Sequence, residues 1–409
     1  MGKDLNGKEL GRGITQRKDG RYMGRIHIKG SKKEITLYDR NLKVLKNKVS
    51  TYQALAGTSQ WDISMTVTEW FEQWMEIYNV PVLKATTIRN YWDGFKRVQP
   101  LIGDCRVIDI KSNNILSAIC VLKENGYAPA TIKQTFTILK VMFSMAYRVR
   151  AVLYNPCEGM RAPTERTHQE IIEREESQNL EKDVQRFLDV CRHTRYYELF
   201  YILSRTGLRI GEACALEWKD VDLERKCIYI DKTVNKVKKY YDSKGRKMES
   251  SKMVAQITSP KKQASYRIVP ISDETVNAFA AWKTKQLADK QRWGRKWGIK
   301  NELLKDFPDL IFTTSPGKTY LPGYATQECK RISDCINRRE KQMALSENRE
   351  SEFIHIHPHL FRYFYVTKCV EKGMNPVMIE KITGHAEIRM TQHYTRLSDE
   401  FILRQHEVH

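Results

Sequence analysis

No apolar run among the 409 residues approaches the ~18 that carry a helix across a bilayer, so no spanning helix is expected. The first ten residues are charged and lack the apolar core of a secretory signal, and Asn6 stands where a myristoylation motif needs Ser or Thr. Cysteine is scattered: the nine positions include no C-x-x-C pair, and an odd number does not suit a disulfide framework. Reduced thiols, acting as small buried apolar groups in a cytoplasm, are expected instead. Also missing are a G-x-x-x-x-G-K-[ST] phosphate loop, any internal repeat and any low-complexity tract.

What is present is positive charge and enough apolar material to fold. Hydrophobic residues make up 41% and aromatics 10%, which excludes wholesale disorder. The length suggests two to four domains at roughly 100–200 residues each. The net charge is +21 and it is focused: residues 1–60 hold 14 Lys+Arg against 5 acids, and residues 225–268 hold 13 against 3. Two concentrated basic blocks fit a polyanionic partner such as nucleic acid. The bland alternative is a surface that merely keeps the protein in solution.

Hydrophobic periodicity divides the chain. Residues 13–55 read as three short strands and a helix, with a D-G turn at Asp19-Gly20, a second turn at residues 29–31, and Leu42, Leu45, Val49, Tyr52 and Leu55 at helical spacing. One strand face carries Arg25 and His27, with Arg17, Lys18 and Arg21 at the turn, which suits a sheet lying in a DNA groove. Four helices are expected over 66–78, 86–98 (beginning on Thr caps), 111–123 and 129–150. On the last, Ile132, Phe136, Leu139, Phe143 and Ala146 form a core stripe, while Lys133, Lys140 and Arg148 lie opposite and read equally as a solvated or a phosphate-tracking face. Residues 161–177 read as a polar linker. Helices then alternate with a basic β region at 227–230, 253–258 and 267–270, with a turn at 242–245. Residues 291–320 read as an insertion or linker without a role.

Four segments of the C-terminal half carry candidate chemistry. In Thr206-Gly-Leu-Arg209-Ile-Gly-Glu212, Gly207 allows a sharp entry to a helix whose first turn carries Arg209, and Glu212 three residues on can hold that guanidinium. An arginine at a helix N-terminus opposes the helix dipole, a placement that hints at anion binding. Ser259-Pro260-Lys261-Lys262 reads as a basic turn, and His359-Leu-Phe-Arg362 places two side chains on one helical face. Thr383-Gly384-His385 is followed nine residues later by Tyr394. His355, His357 and His359 would share a face on a strand, but no Cys, Asp or Glu pattern completes a metal site, and none is expected.

As a set, Arg209, Lys261, His359-x-x-Arg362, Gly384-His385 and Tyr394 resemble the tyrosine recombinase (phage integrase) family in order, spacing and local wording, most nearly the integrases of conjugative transposons. The resemblance covers most of residues 180–400. It departs at Leu360-Phe361-Arg362-Tyr363-Phe364, where the family is commonly more compact, and Lys262 beside Lys261 leaves two candidates for the acid. The resemblance implies a multidomain α+β fold: an arm-site domain over 1–60 (three-stranded sheet plus helix), a helical core-binding domain over 61–160, the linker, and a mainly α catalytic domain with a small antiparallel β region over 178–409. It further implies Tyr394 as nucleophile forming a 3′-phosphotyrosyl bond, and Arg209 and Arg362 on the phosphate. Lys261 is implied as general acid with Lys262 beside it on the DNA, His359 as an aid to proton transfer, His385 as a phosphate ligand and Glu212 as orienter of Arg209.

No metal or nucleotide cofactor is needed, because the covalent bond stores the phosphodiester energy. The implied partners are double-stranded DNA at core and arm sites, three further copies in a homo-tetramer, an excisionase and a DNA-bending host factor. The implied location is the bacterial cytoplasm, on the nucleoid when bound to DNA. The tail 398–409 reads as a helix docking on a neighbouring protomer or on its own domain. Three alternatives remain open: a type IB topoisomerase, an idle DNA-binding regulator and a metal-dependent nuclease.

Overall fold

The computed structural model describes residues 2–27, 34–58, 62, 64–161, 180–242, 244–259 and 266–384, with side chains of 55–58 left aside. Lys261, Lys262, His385, Tyr394, the tail, the turn at 29–31 and all but the first residue of the linker lie outside the described residues. Two compact units are present, Met1–Arg166 with Lys238–Lys252, and Thr167–Val237 with Met253–His409.

The first unit begins with a two-stranded ribbon, β1 (Gly2–Lys3) and β2 (Glu9–Gly11), which periodicity alone did not signal. A three-stranded antiparallel sheet follows: β3 (Ile14–Gln16), β4 (Tyr22–His27) and β5 (Glu34–Asp39), then helix α1 (Leu42–Thr58). The expected D-G turn closes β3 onto β4, with the Gly20 N–H donating to the Arg17 carbonyl at 3.0 Å. Alternation along β4 buries Gly24 and Ile26 and exposes Arg25 and His27. Gly24 is glycine because α1 lies against it: a Cβ there would stand 2.6 Å from Val49 Cγ2.

The helical block has a dense aromatic core. Thr66 and Glu69 form a reciprocal capping box that starts α2 (Val67–Trp74). Instead of the regular helix expected to residue 78, a π-helical turn runs over Met75–Asn79, where buried Asn79 donates to the Trp74 carbonyl at 2.8 Å. Helix α3 (Ala85–Ile102) is preceded by Lys84, so Thr86 and Thr87 lie inside it rather than capping it. Helices α4 (Ser112–Glu124) and α5 (Pro129–Arg148) complete the block, and the stripe expected on α5 is buried. Phe71 stacks on Phe95 with centroids 3.9 Å apart. Tyr240 and Tyr241, far along the chain, join the same core, Tyr240 stacking on Trp92 at 5.2 Å.

The second unit contains α6 (Leu180–Cys191), α7 (Tyr197–Thr206), a one-turn helix α8 (Ile210–Ala213), and a sheet of β6 (Val221–Asp222), β7 (Cys227–Ile230) and β10 (Arg267–Pro270) in the order β10-β7-β6. Between β7 and β10, the long hairpin of β8 (Thr233–Tyr241) and β9 (Lys247–Thr258) runs out to the first unit; the expected turn at 242–245 is its tip. Helices α9 (Asp273–Trp293), α10 (Leu303–Asp306), α11 (Pro322–Ser346), α12 (Pro358–Glu371) and α13 (Pro376–Thr383) follow. Residues 291–320 are not simply a connector. Leu310, Ile311 and Phe312 are fully buried, and the Gln286 amide donates to the carbonyls of Leu310 and Ile311.

Candidate active site

Two glycines in the left-handed region set the backbone of the site. Gly207 ends α7 with φ 61°, and Gly384 ends α13 with φ 66°. The chain leaving Gly207 places Arg209 at the N-cap of α8, one position before the first turn in which the spacing had put it. Glu212 closes the expected pair: its Oε1 accepts from Arg209 Nη1 at 2.8 Å and its Oε2 from the Arg209 backbone N–H at 2.9 Å.

Arg362 reaches the site from the first turns of α12. It is 1% exposed, with Nη1 donating to the Gly207 carbonyl at 2.8 Å and Nη2 to the Thr383 carbonyl at 2.7 Å. Arg209 Nη2 donates to the Gly384 carbonyl at 2.9 Å. A third arginine, which the sequence reading missed, completes the set. Arg267 holds both oxygens of Glu212, at 3.0 and 2.7 Å, and donates through Nε to the Ile382 carbonyl at 2.6 Å. Three consecutive carbonyls at the end of α13 therefore each receive one arginine. Those carbonyls have no partner inside the helix and sit at its negative end, which is why cations settle there. A signal for Arg267 did exist: β10 alternates, with Arg267 and Val269 buried and Ile268 exposed, so the arginine occupies a core-facing phase.

Burial pushes the Glu212 carboxyl up, but the hydrogen bonds from Arg267 and the charges of Arg267 and Arg209 outweigh it and hold the group below its ordinary value. Glu212 stays ionised between Arg209 and Arg267, and with Arg362 on the neighbouring carbonyls three guanidiniums against one carboxylate leave the cluster positive. His359 stands beside it on α12. Its side chain reaches solvent, yet the protein around it removes part of its hydration. That loss, with Arg362, His357 and Arg209 nearby, lowers its pKa from the ordinary 6.5. A neutral imidazole able to accept a proton results.

The strand premise of the metal reading fails. Helix α12 begins at Pro358, which takes His359 out of line with His355 and His357, and among the described residues no group of three His, Cys, Asp or Glu side chains could hold a metal ion. Arg17, Lys18, Arg21, Arg25 and His27 are exposed in the first unit, Arg21 pairing with Asp19 at 2.8 Å. Lys133, Lys140 and Arg148 are exposed on α5.

The pattern of the phage integrase family matches residues 179–400, and that of the phage integrase N-terminal SAM-like domain matches residues 66–119. The transposase from transposon Tn916 of Enterococcus faecalis is 25% identical, over 96% of this chain and 92% of its own. A tyrosine recombinase XerC-like protein of Caldanaerobacter subterraneus is 25% identical over 80% of this chain and 78% of its own. Among solved structures, the Tn1549 transposon integrase in complex with transposon right end DNA superposes with a TM-score of 0.62 at 20% identity, covering 84% of this chain and 98% of that one, a likeness of fold. With more than half of its length matched by the family pattern and the arginine cluster lying inside that match, the chain belongs to the phage integrase family of tyrosine recombinases.

Proposed function

We propose that the protein is a site-specific DNA recombinase that integrates and excises a mobile element of the conjugative-transposon kind. The observation that carries this reading is the positive cluster in which Arg209 and Arg267 hold ionised Glu212, and Arg209, Arg267 and Arg362 share the end of α13, with neutral His359 at its side. A phosphodiester is the anion such a cluster suits. In the reaction, the Tyr394 oxygen attacks the scissile phosphorus as His359 helps to take up its proton. The new phosphotyrosyl bond forms while the bond to the 5′ oxygen breaks, and Lys261 protonates that leaving oxygen. Arg209 and Arg362, with His385, stabilise the charge that concentrates on the non-bridging oxygens. A 5′ hydroxyl from another strand reverses the chemistry and rejoins the DNA without a metal or nucleotide.

Domain roles follow the same reading. Residues 1–60 bind arm sites through Arg17, Lys18, Arg21, Arg25 and His27. Residues 61–160 bind the core site, with Lys133, Lys140 and Arg148 on phosphates, and residues 178–409 cut and rejoin, with Lys262 on the DNA. Four copies act together in the cytoplasm on the nucleoid, aided by an excisionase and a DNA-bending factor, and the tail docks on a neighbour.

Covalent capture tests the reading. The wild type and Tyr394→Phe are incubated with EDTA on nicked suicide duplexes from the DNA flanking the gene, then denatured in SDS. An adduct in the wild type alone is expected. An adduct that persists in the Phe variant, or none on DNA the protein binds, sinks the reading.

A further inference from the structure

Arg267 is almost closed to solvent, its side chain 3% exposed against 38% for Arg209. Burial alone does not set its role, since Arg362 is 1% exposed; its partners do, for Nε, Nη1 and Nη2 of Arg267 are each engaged by the protein. Its contacts run to the frame of the site. The planar fork takes both oxygens of Glu212, which fixes the plane of the carboxylate as well as its charge. The same carboxylate then directs Arg209 Nη1, while the Gly384 carbonyl holds Arg209 Nη2. Arg209 is thereby held along two edges before any ligand arrives, with its remaining N–H groups left to donate. Donors oriented in advance stabilise developing charge without reorganising during the reaction. Were Arg267 absent, the buried carboxylate would keep one guanidinium, on Oε1, and only the Arg209 backbone N–H on Oε2.

We infer that Arg267 is a positioning residue for phosphoryl transfer: through Glu212 it holds Arg209 in the orientation that receives the phosphate, without touching the phosphate itself. The inference rests on the recombinase reading above. It separates two roles that a count of arginines around the site would merge.

Arg267→Lys keeps the charge and loses the fork, and Arg267→Met loses both. Each is compared with the wild type, with Arg209→Lys and with the Arg209→Lys/Arg267→Lys double variant. The readouts are thermal stability, binding of an attachment-site duplex, and the single-turnover rate of adduct formation on the suicide duplex. Arg267→Lys is expected to bind DNA within about threefold of the wild type and to lose cleavage on the order of 100-fold, the cost of a misplaced catalytic group. Adding Arg209→Lys to it should cost little more, because both changes remove one shared interaction. Losses that multiply in the double variant, or a wild-type rate in Arg267→Lys, overturn the inference. Should Arg267→Met unfold, Arg267→Lys carries the test; if that unfolds too, Arg267 is a structural brace and the inference fails.

A wild type without an adduct would mean that the recombinase reading has failed. Carbon-13 titration of the Glu212 carboxylate then decides the present point. A titration point raised in Arg267→Lys supports the inference, and an unchanged one overturns it.

Discussion

Glu212 is 4% exposed and yet ionised, a state that only its two arginines sustain. Removing the charge while keeping the shape, as in Glu212→Gln, leaves Arg209 and Arg267 facing each other, and breaking such a buried pair costs about 3–5 kcal/mol. The pH dependence follows from the direction of the shift. A carboxyl depressed in the fold contributes its full stability above the ordinary value of 4.5 and loses it as the pH falls through the lower folded value. Denaturation curves of the wild type and Glu212→Gln should therefore differ at neutral pH and converge well below pH 4.5; parallel curves throughout would show that Glu212 is not the titrating group. His359 is also shifted downward, which for an imidazole favours the neutral form. Held below 6.5, it remains neutral through physiological pH, so the acid limb of the cleavage rate should fall below pH 6.5. A limb above that value, or one that survives His359→Gln, would assign the titration elsewhere.

At the scale of elements, α7 and α12 meet at Gly207, and the contact leaves no space for a side chain. A Cβ there would lie 2.5 Å from the Tyr365 ring, and the backbone at φ 61° disfavours any L side chain. Gly207→Ala adds a left-handed penalty of about 1–2 kcal/mol to an overpacking cost of about 1–3 kcal/mol. The Gly207 carbonyl also receives Arg362, so the same change should slow cleavage. Chemical denaturation together with the suicide-substrate rate checks both effects; a loss no larger than the left-handed penalty of about 1–2 kcal/mol would mean that the Tyr365 ring swings aside. The long hairpin shows a different kind of coupling between elements. Its strands leave one unit, and Tyr240 and Tyr241 complete the aromatic core of the other. Strand propensity foretold part of β9; the burial of Tyr240 and Tyr241 at the end of β8 belongs to the helices they pack on.

For the whole molecule, charge sets the expected thermodynamics of binding. With +21 overall, affinity for attachment-site DNA should fall steeply as salt rises, because each neutralised phosphate releases counterions. Changing Lys133, Lys140 and Arg148 together to Gln should lower the slope of log affinity against log salt by about 3 if each meets a phosphate. An unchanged slope would take that face of α5 out of the DNA interface.

Order along the chain was enough for much of this protein. The alternation in β4, the stripe on α5, the D-G turn and the pairing of Arg209 with Glu212 are local, and their periods of two, three or four residues are written directly in the sequence. The wording around Arg209, His359 and Arg362 likewise pointed to the family before any contact was known. What needed the tertiary structure is what joins distant segments. Periodicity could not reveal that Arg267 shares a carboxylate with Arg209, or that Leu310–Phe312 leave an apparent linker for the core. Nor could it reveal that Arg209, Arg267 and Arg362 bind three successive carbonyls at the end of α13, 175 residues along the chain for Arg209 and 115 for Arg267. Those arrangements depend on which orphaned groups at a helix end meet which buried charges, and that is settled only when packing within the second unit brings them within hydrogen-bond reach.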